Sequence, residues 1–118
     1  MEYNLENKQL YKYIIDSIPY PIVFVDANHI IRFLNMQAEH WYYDQRGYDN
    51  LIGKSLFDCH NDHSKDMIIK AVEKLKNHAN EIYCGVTPQN YRFYLNPVRN
   101  SKGELVGYFE RFEQNMKK

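Results

Sequence analysis

Beyond Asn80 the chain changes its period, and that change restricts the possible folds more than any other feature. Lys65 to His78 repeats its apolar residues at helical spacing, whereas EIYCGV, YRFYLNPV and ELVGYFERF alternate polar with apolar residues. Gln89-Asn90 and Ser101-Lys102-Gly103 supply the turns between the alternating segments, so three antiparallel strands close the chain. In YRFYLNPV, Tyr91, Phe93 and Leu95 share one face while Arg92, Tyr94 and Asn96 share the other. A sheet with an apolar face needs a cover, and the helix bearing Met67, Ile68, Ala71, Val72 and Leu75 on one side provides it.

The first half reads in the same way. Leu10, Tyr11, Ile14, Ile15 and Ile18 form the apolar stripe of an amphipathic helix that Pro19 and Pro21 end. PIVFVD and IIRFLN are two strands joined by the turn residues Asp26-Ala27-Asn28-His29, hence a hairpin. Asn35 is placed to cap a helix over MQAEHWYYD, which loses its pattern at Arg46-Gly47. The expected fold is α+β: one mainly antiparallel five-stranded sheet with helices on one face, preceded by an N-terminal helix. The expected division is residues 1–18 for that helix and 19–118 for the domain proper.

Composition narrows the function. A chain of 118 residues with 44% apolar content fills a single core. Acidic and basic residues balance at 15 each, so no net field draws the protein to nucleic acid or anionic lipid, and neither is an expected partner. The apolar runs are too short to span a bilayer and MEYNLENKQ lacks the features of a signal peptide, so a cytoplasmic location is expected. Cys59 and Cys84 have no CxxC partner and read as reduced thiols. Eleven Tyr, six Phe and one Trp bring the aromatic share to 15%, and rings in that number either fill a core or line a pocket.

Several motifs, in order, resemble the PAS domain family of sensory modules. IIDSIPYPIVFVDANHIIRFLN is similar to the family's opening helix, strand, Asp-containing turn and second strand ending in Asn. LIGKSLFD is similar to the segment before its long helix, and NPVRNSKGELVGYFERFE to its closing hairpin. The resemblance implies a PAS-like fold whose cavity between sheet and helices binds a small ligand, with signalling through protein association and no catalysis. On that footing the candidate ligand-binding residues are Phe24, Phe33 with its neighbour Leu34, Trp41, Phe57, Cys59, His60, His63, Phe93 and Phe109. The alternative is that these rings pack a filled core, leaving a ligand-free dimerisation module. The resemblance also implies a homodimer through the N-terminal helix. The flavin-binding members' Asn-Cys-Arg-Phe sequence is absent, so no flavin is expected, and the Asp-x-Thr ending of many members is replaced by Phe112-Glu113-Gln114-Asn115.

FDCHNDHS, Phe57 to Ser64, admits several chemistries. Cys59, His60 and His63 offer three of the four ligands that zinc takes, but no second cluster follows, and no metal site is assigned. Heme needs one neutral His, and His60 or His63 would serve in a heme- or thiol-based redox or gas sensor, with Cys59 as the thiol. Heme-binding members carry that His inside the long helix, near Asp66 or Met67 here, which puts His63 about one turn early. A catalytic Cys-His pair requires the two side chains to meet, whereas neighbours in sequence point apart. In the plainest reading Asp62 or Ser64 caps the long helix and Cys59 is a small buried group. The preferred functional reading makes this helix start a pocket wall. Arg92, Arg99 and Arg111 are further candidates, for a carboxylate ligand if they point inward.

Overall fold

A computed structural model describes residues 7–59, 62–77 and 79–116, with the backbone alone at Cys59, Asp62 and His63. Helix α1 spans Asn7–Asp16 and buries none of its residues, so its apolar stripe stays open. Strands β1 (Ile22–Asp26) and β2 (Ile31–Leu34) form the expected hairpin. Its turn is built by Asp26, whose Oδ1 accepts from the backbone N–H of Asn28 at 2.9 Å and of Ile30 at 3.1 Å, with His29 left-handed at φ 64°.

Asn35 then closes three elements on one another. Its Oδ1 accepts from the N–H of Ala38, capping α2 (Met36–Glu39), and from the N–H of Ile22 in β1, both at 2.9 Å. Its Nδ2 donates to the carbonyls of Ile15 and Tyr20, tying down the chain after α1. The expected single helix over MQAEHWYYD is corrected here: after α2 the chain widens into a π-helix, His40–Gln45, in which Arg46 N–H reaches back five residues to the Trp41 carbonyl. The wide turn seats Trp41 in the core, its ring edge-on to Phe112 at 4.8 Å and tilted against Tyr91 at 5.4 Å.

A 3-10 turn, Leu56–Cys59, leads to α3, Asp62–Lys76. Because α3 begins at Asp62, Ser64 lies inside the helix rather than before it, and the Asp62 cap rests on a side chain outside the described residues. Strands β3 (Ile82–Val86), β4 (Tyr91–Arg99) and β5 (Leu105–Gln114) complete the sheet, antiparallel throughout in the order β2-β1-β5-β4-β3. The open edge of β2 is met by the loop before the 3-10 turn, where Ile31 N–H donates to Lys54 and Gly53 N–H to Ile31.

The two sheet faces differ in kind. Val23, Val25, Ile31, Leu34, Phe93, Leu95, Tyr108 and Phe112 point to the helices and bury against Ile68, Ala71, Val72 and Leu75 of α3. The opposite face carries the cross-strand row Phe33, Phe24, Phe109 and Asn96. Gly107 belongs to that face for a steric reason: the Phe24 ring and the Val25 carbonyl occupy the place of a Cβ. Among the described residues no helix is long and apolar enough to cross a membrane.

Candidate functional site

Between the β3-β4-β5 side of the sheet, the π-helix and the start of α3 lies a partly enclosed cavity of about 460 Å³. The π-helix and the chain just after it contribute Trp41, Tyr42, Arg46 and Tyr48, α3 contributes Ser64, Met67 and Ile68, and the sheet contributes Cys84, Phe93, Glu110 and Phe112. Its volume falls in the range of small-molecule sites, roughly 300–1,000 Å³. Local sequence explains how each wall is made. The register shifts between Tyr83 and Gly85, so Cys84 is the extra residue of a β-bulge, and Gly85 takes the φ of 110° that the bulge needs. The bulge adds Cys84 to the cavity wall, while Phe93 and Phe112, paired across β4 and β5, stack at 5.1 Å to make the floor.

The polar groups are few and unequal. Glu110 sits on the inner face between Leu95 and Val23 and is 1% exposed, and its Oε1 has no hydrogen-bond partner. Burial pushes its carboxyl up to about 8, and Arg46 offsets this only in part. Cys84 is also shifted: burial, followed by the neighbouring Glu110, pushes its thiol up to about 11, so it is a protonated, unreactive thiol at neutral pH. Arg46 is exposed, and its guanidinium lies 5.3 Å from the Trp41 ring, 5.3 Å from Tyr42 and 5.2 Å from Tyr48.

Of the residues singled out from sequence, Trp41 and Phe93 line this cavity. Phe24, Phe33 and Phe109 do not: they stand on the far face of the sheet, because strand alternation puts their neighbours Val23, Val25, Leu34 and Tyr108 inward. That corrects their placement as cavity residues; Leu34 itself is core. Phe57 packs instead on His29, with ring centroids 4.7 Å apart, and His29 Nδ1 in turn lies 2.8 Å from the Tyr108 hydroxyl. His60 and the side chains of Cys59 and His63 lie outside the described residues, so the heme, thiol and zinc readings do too. Among the described residues no three His, Cys, Asp or Glu side chains are grouped to hold a metal.

The three candidate arginines are engaged elsewhere. Arg99 donates to the Leu75 and Ala79 carbonyls at the end of α3, Arg111 binds Glu81 and Glu113, and Arg92 pairs with Glu113. Sequence reasoning missed Glu110 and Arg46. The signal for Glu110 was present in ELVGYFERF, where Tyr108, Glu110 and Phe112 alternate onto one face and leave a carboxyl in an apolar row.

A sheet of order β2-β1-β5-β4-β3 is covered on one face by short helices and one long helix with a cavity between, an α+β architecture. The sequence matches the PAS domain family over residues 11–114, and the chain belongs to that family. No curated protein matches it. Among solved structures it resembles a C-terminal domain from Streptococcus mutans, at 19% identity and TM-score 0.72, covering 99% of this chain and 93% of that one. It also resembles the PAS domain of a protein from Colwellia psychrerythraea (18% identity, TM-score 0.65, 96% of this chain and 100% of that one). A sensory box sensor histidine kinase from Vibrio cholerae is similar at 12% identity and TM-score 0.60, over 92% of this chain and 89% of that one. The chain is thus a sensory module of the signalling type, from a family that is generally regulatory rather than catalytic.

Proposed function

We propose that the module senses a small molecule held in the cavity between the π-helix, α3 and the β3-β5 side of the sheet, and passes on its occupancy through association. The observation that carries this reading is the cavity: about 460 Å³ stays open beside a core in which Val25, Ile68, Leu75, Leu95 and Tyr108 are fully buried on the same sheet face. Its wall is well suited to respond to occupancy. Bound ligand would touch both the π-helix and α3, two elements joined by a loop and packed on the same sheet face.

A thermal-shift screen of a small-molecule library tests this against wild type and Phe93→Trp, whose larger indole occupies the floor. The expected result is a set of compounds that raise Tm in wild type and lose that effect in the variant. Absence of any stabilising compound, or an unchanged set in the variant, overturns the reading.

Association is assigned to α1. Leu10 is 40% exposed and Ile14 54%, on a helix without a fully buried residue, and a second copy of the same stripe is its apolar complement. The two-fold pairing of α1 helices predicts that replacing Leu10 and Ile14 together by Asp converts a dimer into a folded monomer in light scattering. A wild type that is monomeric at high concentration removes this part of the proposal.

A further inference from the structure

Glu110 is a charged residue type placed in an apolar row on the inner face of the sheet. It is one of two buried polar side chains among the described residues; its Oε1 is covered and unpartnered, and the residue belongs to the wall of a space large enough for a ligand. A buried carboxyl oxygen without a partner is a standing cost unless something else completes it. What completes it must come through the cavity, since β1 and β4 flank Glu110 within the sheet and present Val23 and Leu95 beside it.

The rest of the wall narrows the chemistry. Trp41, Tyr42, Tyr48, Phe93 and Phe112 border the space, and ring faces carry negative electrostatic potential. Arg46, on the wall of the same cavity, illustrates the point: its guanidinium rests about equally near three of these rings, 5.2–5.3 Å from each centroid. Arg46 is exposed to solvent, which meets the need of its charge. Glu110 is dry and does have a need. We infer that the cavity is a site for a small organic cation with a flat apolar body, its ammonium or amidinium donating to the Glu110 carboxylate while its body lies against the aromatic wall. This deepens the reading of the cavity as a ligand site and rests on it.

Among the described residues, the charged and titratable groups around Glu110 are Arg46 from the π-helix end, Cys84 from β3 and Tyr108 on its own strand. Cys84 and Tyr108 are both held protonated by burial, and the described α3 side chains that line the cavity, Ser64, Met67 and Ile68, are uncharged. Since burial pushes the empty-state carboxyl up to about 8, Glu110 carries its proton at pH 7. A bound ammonium reverses the preference, so binding moves one proton from Glu110 to the solvent and leaves an ammonium-carboxylate pair.

Three probes of one shape separate the possibilities: 2-phenylethylammonium, neutral 2-phenylethanol and anionic 3-phenylpropionate, titrated calorimetrically at pH 7 in two buffers of different ionisation enthalpy. The expected order is the ammonium about tenfold tighter than the alcohol, with the carboxylate weakest, and with a proton released only by the ammonium. In Glu110→Gln the ammonium and alcohol should converge and the proton release vanish, and Phe93→Trp should weaken all three. Equal binding of ammonium and alcohol, or preference for the carboxylate, overturns the cation assignment while leaving the cavity reading standing. Binding of none of the three overturns both. The wild-type ranking decides the matter even where Glu110→Gln does not fold.

Discussion

Asn35 and Glu110 are the two polar side chains buried among the described residues, and they are treated in opposite ways. Asn35 uses both ends of its amide: Oδ1 accepts two backbone N–H groups and Nδ2 donates to two carbonyls, from four separate places in the chain. Glu110 has an oxygen with no donor and faces a cavity. Burial alone therefore does not distinguish a structural polar group from a functional one, whereas the state of its hydrogen bonds does. The fold closes around Asn35 and leaves Glu110 for something outside the chain.

Removing Asn35 is the harshest way to test that contrast. Asn35→Ala strips four hydrogen bonds and leaves the N–H of Ile22 and of Ala38 without an acceptor, so it should cost about 4 kcal/mol in denaturant unfolding. The loss should be the same at pH 5 and pH 8, because nothing in that site titrates. A loss below about 1 kcal/mol would mean that water replaces the amide and that the region is less closed than its hydrogen bonds imply.

Glu110 should behave in the opposite sense. Its folded-state carboxyl is raised from 4.5 to about 8, so between those values the folded chain holds a proton that the unfolded chain has released. Stability from this residue is then greatest below pH 4.5 and is lost as pH rises toward about 8. Glu110→Gln copies the protonated form and should exceed wild type by only about 1 kcal/mol at pH 5 but by about 4 kcal/mol at pH 8. Chemical denaturation at the two pH values checks this. A pH-independent difference would show that Glu110 is already paired in solution.

Glu113, three residues further along the same strand, points to the other face and shows how ordinary that position is. Arg111, Tyr94 and Arg92 surround it, and the Arg111 hydrogen bond first of all holds its carboxyl below the usual range. Both acids are visible in the string ELVGYFERFE, and strand parity alone assigns them to different faces. Parity was thus enough to read the three closing strands and the inward row of Phe93 and Leu95. It was not enough to say which phenylalanines meet a cavity: Phe24, Phe33 and Phe109 look equivalent to Phe93 by type, and only the pairing of β1 with β2 and β5 fixes them on the far side. The π-helix was illegible for a different reason. Its sequence, HWYYDQ, carries good helical spacing, and the wider turn is set by where Trp41 must sit against Tyr91 and Phe112, residues far along the chain. The bulge at Cys84 was likewise hidden, since a glycine inside an alternating run marks an irregularity without saying which residue it turns inward.

The difference between the faces also predicts the mildest effect, through a pair of identical substitutions. Phe93→Trp enlarges a ring that already borders open space, so the added atoms have room and stability should change by less than about 0.5 kcal/mol, while ligand capture is lost. Phe109→Trp adds the same atoms on the far face, in a row between Phe24 and Asn96 where neither neighbour lines the cavity. There the larger ring alters the cross-strand pairing with Phe24 and Asn96 on a half-exposed face, and a loss of up to about 1 kcal/mol is expected with ligand capture intact. Paired unfolding and binding measurements on the two variants therefore cross over: one loses function without stability, the other stability without function. If both lose only stability, the space beside Phe93 closes in solution and the two faces are equally packed. If Phe109→Trp is the variant that loses ligand, the binding face is the one that carries Phe24 and Phe33, and the far row of rings replaces the cavity as the site.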